Sequence, residues 1–276
     1  MPGLARLIGA LVAFLVGDLL RVRRRHVVES MRRAGVVEPE RRASAMYRSL
    51  ASALVELLLA RFLERRVRFE PRALALIEAR GAVVATAHTG SFDLVACAAA
   101  RRVPLTVVTK RLSIGFLDRV WQGWRARRGV RLAQAGDAAA SARCALARGE
   151  AVAMLIDQAP ERSRGTLVTP FLGAPARVDL APALLAARAG VPLVVVFGRR
   201  TSEGEHVVEL AGALVPPPRA GRAWAEQAMR QATDWLDAFV RAHPEQWLWM
   251  HRRWKDAPSA ALSTMPEIRA RSAVRT

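Results

Sequence analysis

The sequence predicts an α/β fold: a mainly parallel sheet flanked by helices, preceded by an N-terminal helical segment that associates with a membrane. Three observations predict it. From about residue 81, short valine-rich runs without polar alternation recur: AVVATA (82–87), VPLTVVT (103–109), AVAMLI (151–156) and VPLVVVF (191–197). Such runs suit strands buried on both faces. Helix-like stretches at 91–102, 116–128, 137–148 and 177–190 alternate with them, which is the grammar of parallel crossovers. Finally, residues 4–20 (LARLIGALVAFLVGDLL) are apolar except for Arg6 and Asp18, and RVRRR follows directly.

Taken in order, residues 1–25 read as a membrane anchor or interfacial helix, with Arg21 to Arg25 on the cytoplasmic side. A span needs about 20 apolar residues, so the stretch is borderline by length; a buried amphipathic helix is the alternative. Its basic residues follow the apolar run, unlike those of a signal peptide. Residues 26–72 read as helices, and 49–63 (SLASALVELLLARFL) is strongly apolar. The α/β core covers about 81–255, so that 26–255 forms one domain. Gly81, Gly129, Gly149 and Gly190 punctuate its elements, HVVEL (206–210) adds an edge strand, and the prolines at 216–218 precede a last helix over about 222–242. The stretch 165–178 (GTLVTPFLGAPARV) reads as a rigid loop that delivers Arg177 to the next helix. Residues 256–276 read as a disordered polar tail.

The chain has 276 residues and a formal net charge of +19, and all but Lys110 and Lys255 of its 43 basic residues are arginine. That excess calls for an anionic partner, whether nucleic acid, an anionic membrane or a phosphorylated substrate. Its two cysteines, Cys97 and Cys144, lack metal-site spacing and read as small buried apolar residues; no metal site is expected.

Ligands of open α/β sheets bind beyond the carboxyl ends of the strands. Three positions qualify: His88, Lys110-Arg111 and Asp157-Gln158. In AHTGSFD (87–93), Gly90 permits a tight bend, Ser91 is placed to cap the next helix, and Asp93 falls in its first turn. A carboxylate folded back onto one imidazole nitrogen would leave the other free to take a proton. The same residues also fit a turn histidine and a helix N-terminal acid. No nucleophile elbow is present, so such a pair would activate a hydroxyl of the substrate itself. Residues 101–131 carry nine basic residues and one acid, Asp118. Arg125 to Arg128 read there as a solvated helix face, while Lys110 and Arg111 could hold phosphate or a developing oxyanion. In HPEQWLWMHRRWK (243–255), tryptophans interleaved with basic residues fit either nucleic-acid stacking or a membrane-interface belt.

The ordered set H-x-x-x-x-D, basic strand exit, D-Q, G-x-x-V-x-P-F-x-G and P-E-Q-W-L-W-x-H-R-R-W-K resembles the bacterial lipid A biosynthesis late acyltransferases, within the lysophospholipid acyltransferase superfamily. The resemblance spans roughly residues 5–255. It implies that His88 is the general base and that Asp93 orients it. By the same carry-over, Lys110, Arg111, Asp157, Gln158 and Arg177 contact substrate. It implies an acyl thioester donor, on acyl carrier protein or coenzyme A, with no bound cofactor. It further implies a membrane glycolipid acceptor, action at the cytoplasmic face of the inner membrane, and no nucleic acid partner. Lipid A enzymes commonly carry Asn, Trp and Glu where this chain has Ser91, Phe92 and Asp93. The Asp form occurs in relatives that act on other acceptors, such as phosphatidylinositol mannosides, and that acceptor is the alternative.

Overall fold

The computed structural model describes residues 22–79, 81–110, 115–134 and 136–255. The expected anchor at 4–20, Arg111 and the tail at 256–276 lie outside the described residues.

The amino-terminal part is helical: α1 (Arg24–Arg33), α2 (Pro39–Leu58) and the short α3 (Ala60–Leu63). Pro39 opens α2 at a position where a missing N–H costs nothing. The apolar run over 49–63 is broken at Leu59, and the chain bends there by 87°. No single helix among the described residues is long and apolar enough to cross a membrane.

The rest alternates strands and helices: β1 (Val67–Phe69), α4 (Pro71–Glu78), β2 (Val83–Thr86), α5 (Phe92–Ala100), β3 (Leu105–Thr109), α6 (Gly115–Ala126), β4 (Arg131–Gln134), α7 (Ala138–Ala147), β5 (Ala151–Leu155), β6 (Thr166–Phe171), β7 (Ala174–Asp179), α8 (Ala181–Ala189), β8 (Leu193–Arg200), β9 (His206–Leu214) and α9 (Arg222–Ala242). Seven strands form one sheet in the order β1-β9-β8-β2-β5-β3-β4. All neighbouring pairs are parallel except β8–β9. The mainly parallel sheet expected from the valine runs is therefore present, with two differences. The HVVEL strand is interior, because β1 covers its outer side. The stretch read as a rigid loop is instead a two-stranded hairpin, β6–β7. Its turn, Leu172-Gly173, has positive φ at both residues, as a tight two-residue hairpin turn needs. Pro170 and Pro175 face each other across it. Arg177 consequently lies on β7 rather than entering the helix.

Successive strand residues point to opposite faces, and each face is buried. Val83, Ala85, Val152, Val195 and Phe197 pack under α8 and α9, together with α1, α2 and Trp247. Val84, Ala151, Val194 and Val196 pack under α4 and α5. On α9, Ala225, Ala228, Met229, Ala232, Leu236, Phe239 and Val240 recur at helical spacing as its buried stripe. Cys97 is buried as expected, and burial pushes its thiol up to about 12. Cys144, expected to be buried, is exposed on α7, because the buried face of that helix is made by Ala142, Ala145 and Leu146.

Candidate active site

The site grows from strand register. In the parallel β2–β5 pair, Thr86 lies opposite Leu155. His88 and Asp157 are each two residues past that point, so the two strands deliver them side by side at the carboxyl edge of the sheet. The Asp157 carboxylate, 1% exposed, meets His88 Nδ1 at 3.0 and 3.1 Å. It also accepts the His88 backbone N–H at 3.3 Å and the Trp247 indole N–H at 3.0 Å. The imidazole is 13% exposed, and Phe92 packs edge-on at 4.8 Å between ring centres. Its Nε2 has no hydrogen-bond partner among the described residues. The ring is thus held from one side, with the opposite nitrogen available as a base.

Burial alone would depress the His88 pKa. The charge and hydrogen bonds of Asp157 outweigh it and lift the imidazole above the ordinary histidine value. For Asp157, burial pulls upward, but the His88 charge and the bonds from His88 and Trp247 hold the carboxyl below its usual value.

Asp93 differs from the expectation that it orients His88. It does lie in the first turn of α5, where it is buried, but its carboxylate accepts Arg125 Nε at 2.7 Å and a second bond from Nη2. The turn of α5 aims Asp93 at α6 rather than back at the imidazole, which it reaches only through its charge. Burial lifts the Asp93 carboxyl above its ordinary value, and the Arg125 charge opposes this. Arg125, expected on a solvated face, is 8% exposed. Its Nη1 makes longer contacts to Gln122 Oε1 at 3.3 Å and Thr109 Oγ1 at 3.5 Å. Ser91 occupies the helix N-cap position without a side-chain capping bond, and its buried hydroxyl has no partner among the described residues.

The remaining expected residues separate from the pair. Lys110 is exposed and bonded to Glu161 at 3.1 Å. Gln158 is half-buried and has no hydrogen bond to the pair among the described residues. Arg177 reaches Thr166 across the hairpin at 3.2 Å. Among the described residues, no group of three or more His, Cys, Asp or Glu side chains could hold a metal ion.

The loop that carries His88 is fixed from two directions. Gly90 has φ +53°, and a β-carbon there would sit 2.9 Å from the Gly198 carbonyl on β8. Its N–H donates to the Gln246 carbonyl at 2.8 Å, and Leu248 N–H donates to the His88 carbonyl at 3.1 Å. The C-terminal tryptophans are therefore packed against the protein's interior and do not form a surface belt. Trp247 and Trp249 are buried, and Trp254 stacks on Phe171.

Beside the His88 loop lies an apolar cavity with about 1010 Å3 of empty space, part of it open solvent. β3, β5, β2, β8 and β9 form its floor, Val95, Ala96 and Ala99 of α5 its roof, and Ala73, Leu74 and Ile77 of α4 its far side. Polar groups are few: Thr86, Thr89, Thr109 and the Asp93–Arg125 pair. An apolar cavity lined by the Asp93–Arg125 ion pair and by Ala87 and Thr89 on either side of His88 suits an alkyl chain with a polar head.

Comparison with curated proteins finds no match. Among solved structures, the 1-acyl-sn-glycerophosphate acyltransferase of Thermotoga maritima matches at 12% identity and a TM-score of 0.38, covering 86% of this chain and all of that one. The model of the bacterial lipid A biosynthesis acyltransferases matches residues 34–256. That match takes in His88, Asp157 and the Trp247 segment, and on it the chain belongs to the bacterial lipid A biosynthesis acyltransferase family and is an acyltransferase.

Proposed function

We propose that the protein moves a fatty acyl group from an acyl thioester, on acyl carrier protein or coenzyme A, to a hydroxyl of a lipid A-type glycolipid. The observation that carries this reading is the His88–Asp157 pair, with Nε2 unengaged, at the border of the apolar cavity. His88 Nε2 takes the proton of the acceptor hydroxyl as that oxygen attacks the thioester carbonyl. Asp157 stabilises the resulting imidazolium. When the tetrahedral intermediate collapses, the carbon–sulfur bond breaks and the imidazolium returns the proton to the departing thiolate. No acyl-enzyme forms. Arg125, which lines the cavity and is held by Asp93, places a fixed positive charge beside it that favours the carbonyl oxygen as it becomes an oxyanion.

The cavity supports a long acyl group. Its floor crosses four interstrand steps of about 4.8 Å, or about 19 Å.

The reading includes action at the cytoplasmic face of the inner membrane. The net charge of +19 favours an anionic lipid surface, at about 1 kcal/mol per basic residue near it. Leu54, Leu58 and Phe62 form an exposed apolar stripe at the bend after α2, with the Arg61 guanidinium over the Phe62 ring at 4.7 Å. A second acceptor, such as a phosphatidylinositol mannoside, is favoured by the Ser91-Phe92-Asp93 form of the motif. Mass spectrometry of membrane lipids from a strain lacking the gene, with and without the wild-type copy, tests the assignment. A lipid A-type species short by one acyl chain supports it, and an unchanged lipid profile refutes it.

A further inference from the structure

The acid of the pair is itself held, and the holder comes from the far end of the chain. Asp157 Oδ2 accepts the Trp247 indole N–H at 3.0 Å, across 90 residues of sequence. The indole cannot swing away. It is 1% exposed, wedged edge-on between Phe171 at 5.5 Å and Trp249 at 4.8 Å between ring centres. Its backbone is paired with Thr89 in an antiparallel bridge, flanked by the Gly90–Gln246 and Leu248–His88 hydrogen bonds. Four residues on, His251 Nε2 accepts the Ala159 N–H at 3.0 Å and so fixes the chain just beyond Asp157. Burial pushes the His251 pKa down to about 4, which keeps that nitrogen an acceptor through the neutral range. One short segment thus grips the His88 loop through its backbone and the Asp157 carboxylate through its indole.

We propose that Trp247 is a positioning residue of the acyl-transfer base, setting the basicity of His88 by orienting and hydrogen-bonding the Asp157 carboxylate. This rests on the reading above that His88 is the base. The indole N–H stabilises Asp157 most when His88 is neutral and the carboxylate charge is uncompensated. Removing that donor therefore favours the imidazolium, raises the His88 titration midpoint and leaves less free base at neutral pH. Removing it also frees the carboxylate to rotate, which lowers the turnover of the base form itself.

Trp247→Phe keeps the ring and deletes the donor. Trp249→Phe is the control. Its indole, equally buried in the same segment, donates to the Pro244 carbonyl and not to the pair. In the full-length protein, Trp247→Phe is expected to lower kcat about tenfold with KM nearly unchanged, the size expected for losing one hydrogen bond to a charged group. It should also move the acidic limb of the pH–rate profile upward, while Trp249→Phe, which keeps the Trp247–Asp157 bond, leaves the limb in place and lowers kcat less. Wild-type kcat and an unmoved limb in Trp247→Phe overturn the proposal, as does an equal loss in both variants. If Trp247→Phe does not fold, the unaltered protein still answers. The Trp247 indole N–H resonance should titrate with the His88 midpoint while that of Trp249 stays flat, and a flat Trp247 resonance overturns the proposal. An active His88→Ala variant would remove the underlying reading. An inactive one beside an unaffected Trp247→Phe removes this inference alone.

Discussion

Replacing Asp157 with asparagine isolates its role as partner of the base, because shape is kept and charge is lost. The expected size follows from the donors around the carboxylate. Oδ2 receives three contacts, from His88 N, His88 Nδ1 and Trp247 Nε1, whereas Oδ1 receives only Nδ1. An amide therefore settles with its oxygen at the Oδ2 position and its NH2 at the Oδ1 position, 3.0 Å from Nδ1. That NH2 cannot accept from Nδ1, so the shorter of the two Nδ1 contacts now favours the tautomer with the ring proton on Nε2, the atom that has to be the base. The loss should be about 10^3- to 10^4-fold in kcat, the size expected when the orienting acid of a histidine base becomes its amide. With the Asp157 charge gone, burial is the largest influence left on His88, so its midpoint should fall below 6.5. The assay is thiol release from an acyl thioester across pH, with the imidazole midpoint read separately by NMR. Asp93→Asn is the comparison. It leaves the Arg125 guanidinium buried without its anion, at about 3–5 kcal/mol of stability, but keeps the His88–Asp157 bonds. Asp157→Asn within tenfold of wild type, with Asp93→Asn moving the His88 midpoint further, would refute the assignment of Asp157.

Four other outcomes are expected. Because the His88 pKa is raised, the imidazolium–Asp157 contribution to stability is fully present below about 6.5 and lost as pH climbs through the folded-state value. Turnover should rise over that same window, so stability and kcat/KM run in opposite directions in paired melting and rate measurements; parallel trends contradict this. Glu56, bonded to Arg200 and near His206, is held down from 4.5 to about 2 against the upward pull of burial, which corresponds to about 3 kcal/mol of stability. That contribution is present above pH 4.5 and lost as pH falls toward 2, so Glu56→Gln should cost about 3 kcal/mol in urea unfolding at neutral pH and almost nothing near pH 2. Ala73→Phe, on the far side of the cavity, should shift donor preference to shorter acyl chains in competition between thioesters of different length, and an unchanged preference removes the cavity from the reading. Leu58→Asp with Phe62→Asp should weaken co-sedimentation with anionic vesicles without affecting the fold, and unaltered binding rules that stripe out as the contact.

The sheet was legible wherever strands are continuous valine-rich runs. β2, β3, β5 and β8 announce themselves in this way, because a strand buried on both faces has no polar alternation. β1 is three residues inside an arginine-rich stretch, β4 reads RLAQ, and β6 and β7 carry prolines; their pairing comes from tertiary contacts that local composition does not encode. The site was legible by position but not by partnership. His88 and Asp157 both follow strands, yet their contact depends on β2 lying beside β5 with Thr86 opposite Leu155. Without that register, the nearby Asp93 was the natural partner. Arg125 was hidden in a run of arginines. The available signal was its helical phase, since it shares a face of α6 with Gln122 and Asp118, which bond to each other and are buried. Trp247 was hidden for a related reason: aromatic and basic interleaving looks the same whether the rings face a membrane or a buried carboxylate.

The central claim is that His88 removes the proton of a lipid hydroxyl while that hydroxyl attacks a thioester. Single-turnover acyl transfer by the full-length His88→Ala protein in membranes tests it most directly, with folding and membrane binding checked in parallel. The account predicts a folded, membrane-bound protein that forms no acylated lipid above the uncatalysed rate. Acylated lipid formed at the wild-type rate would contradict it.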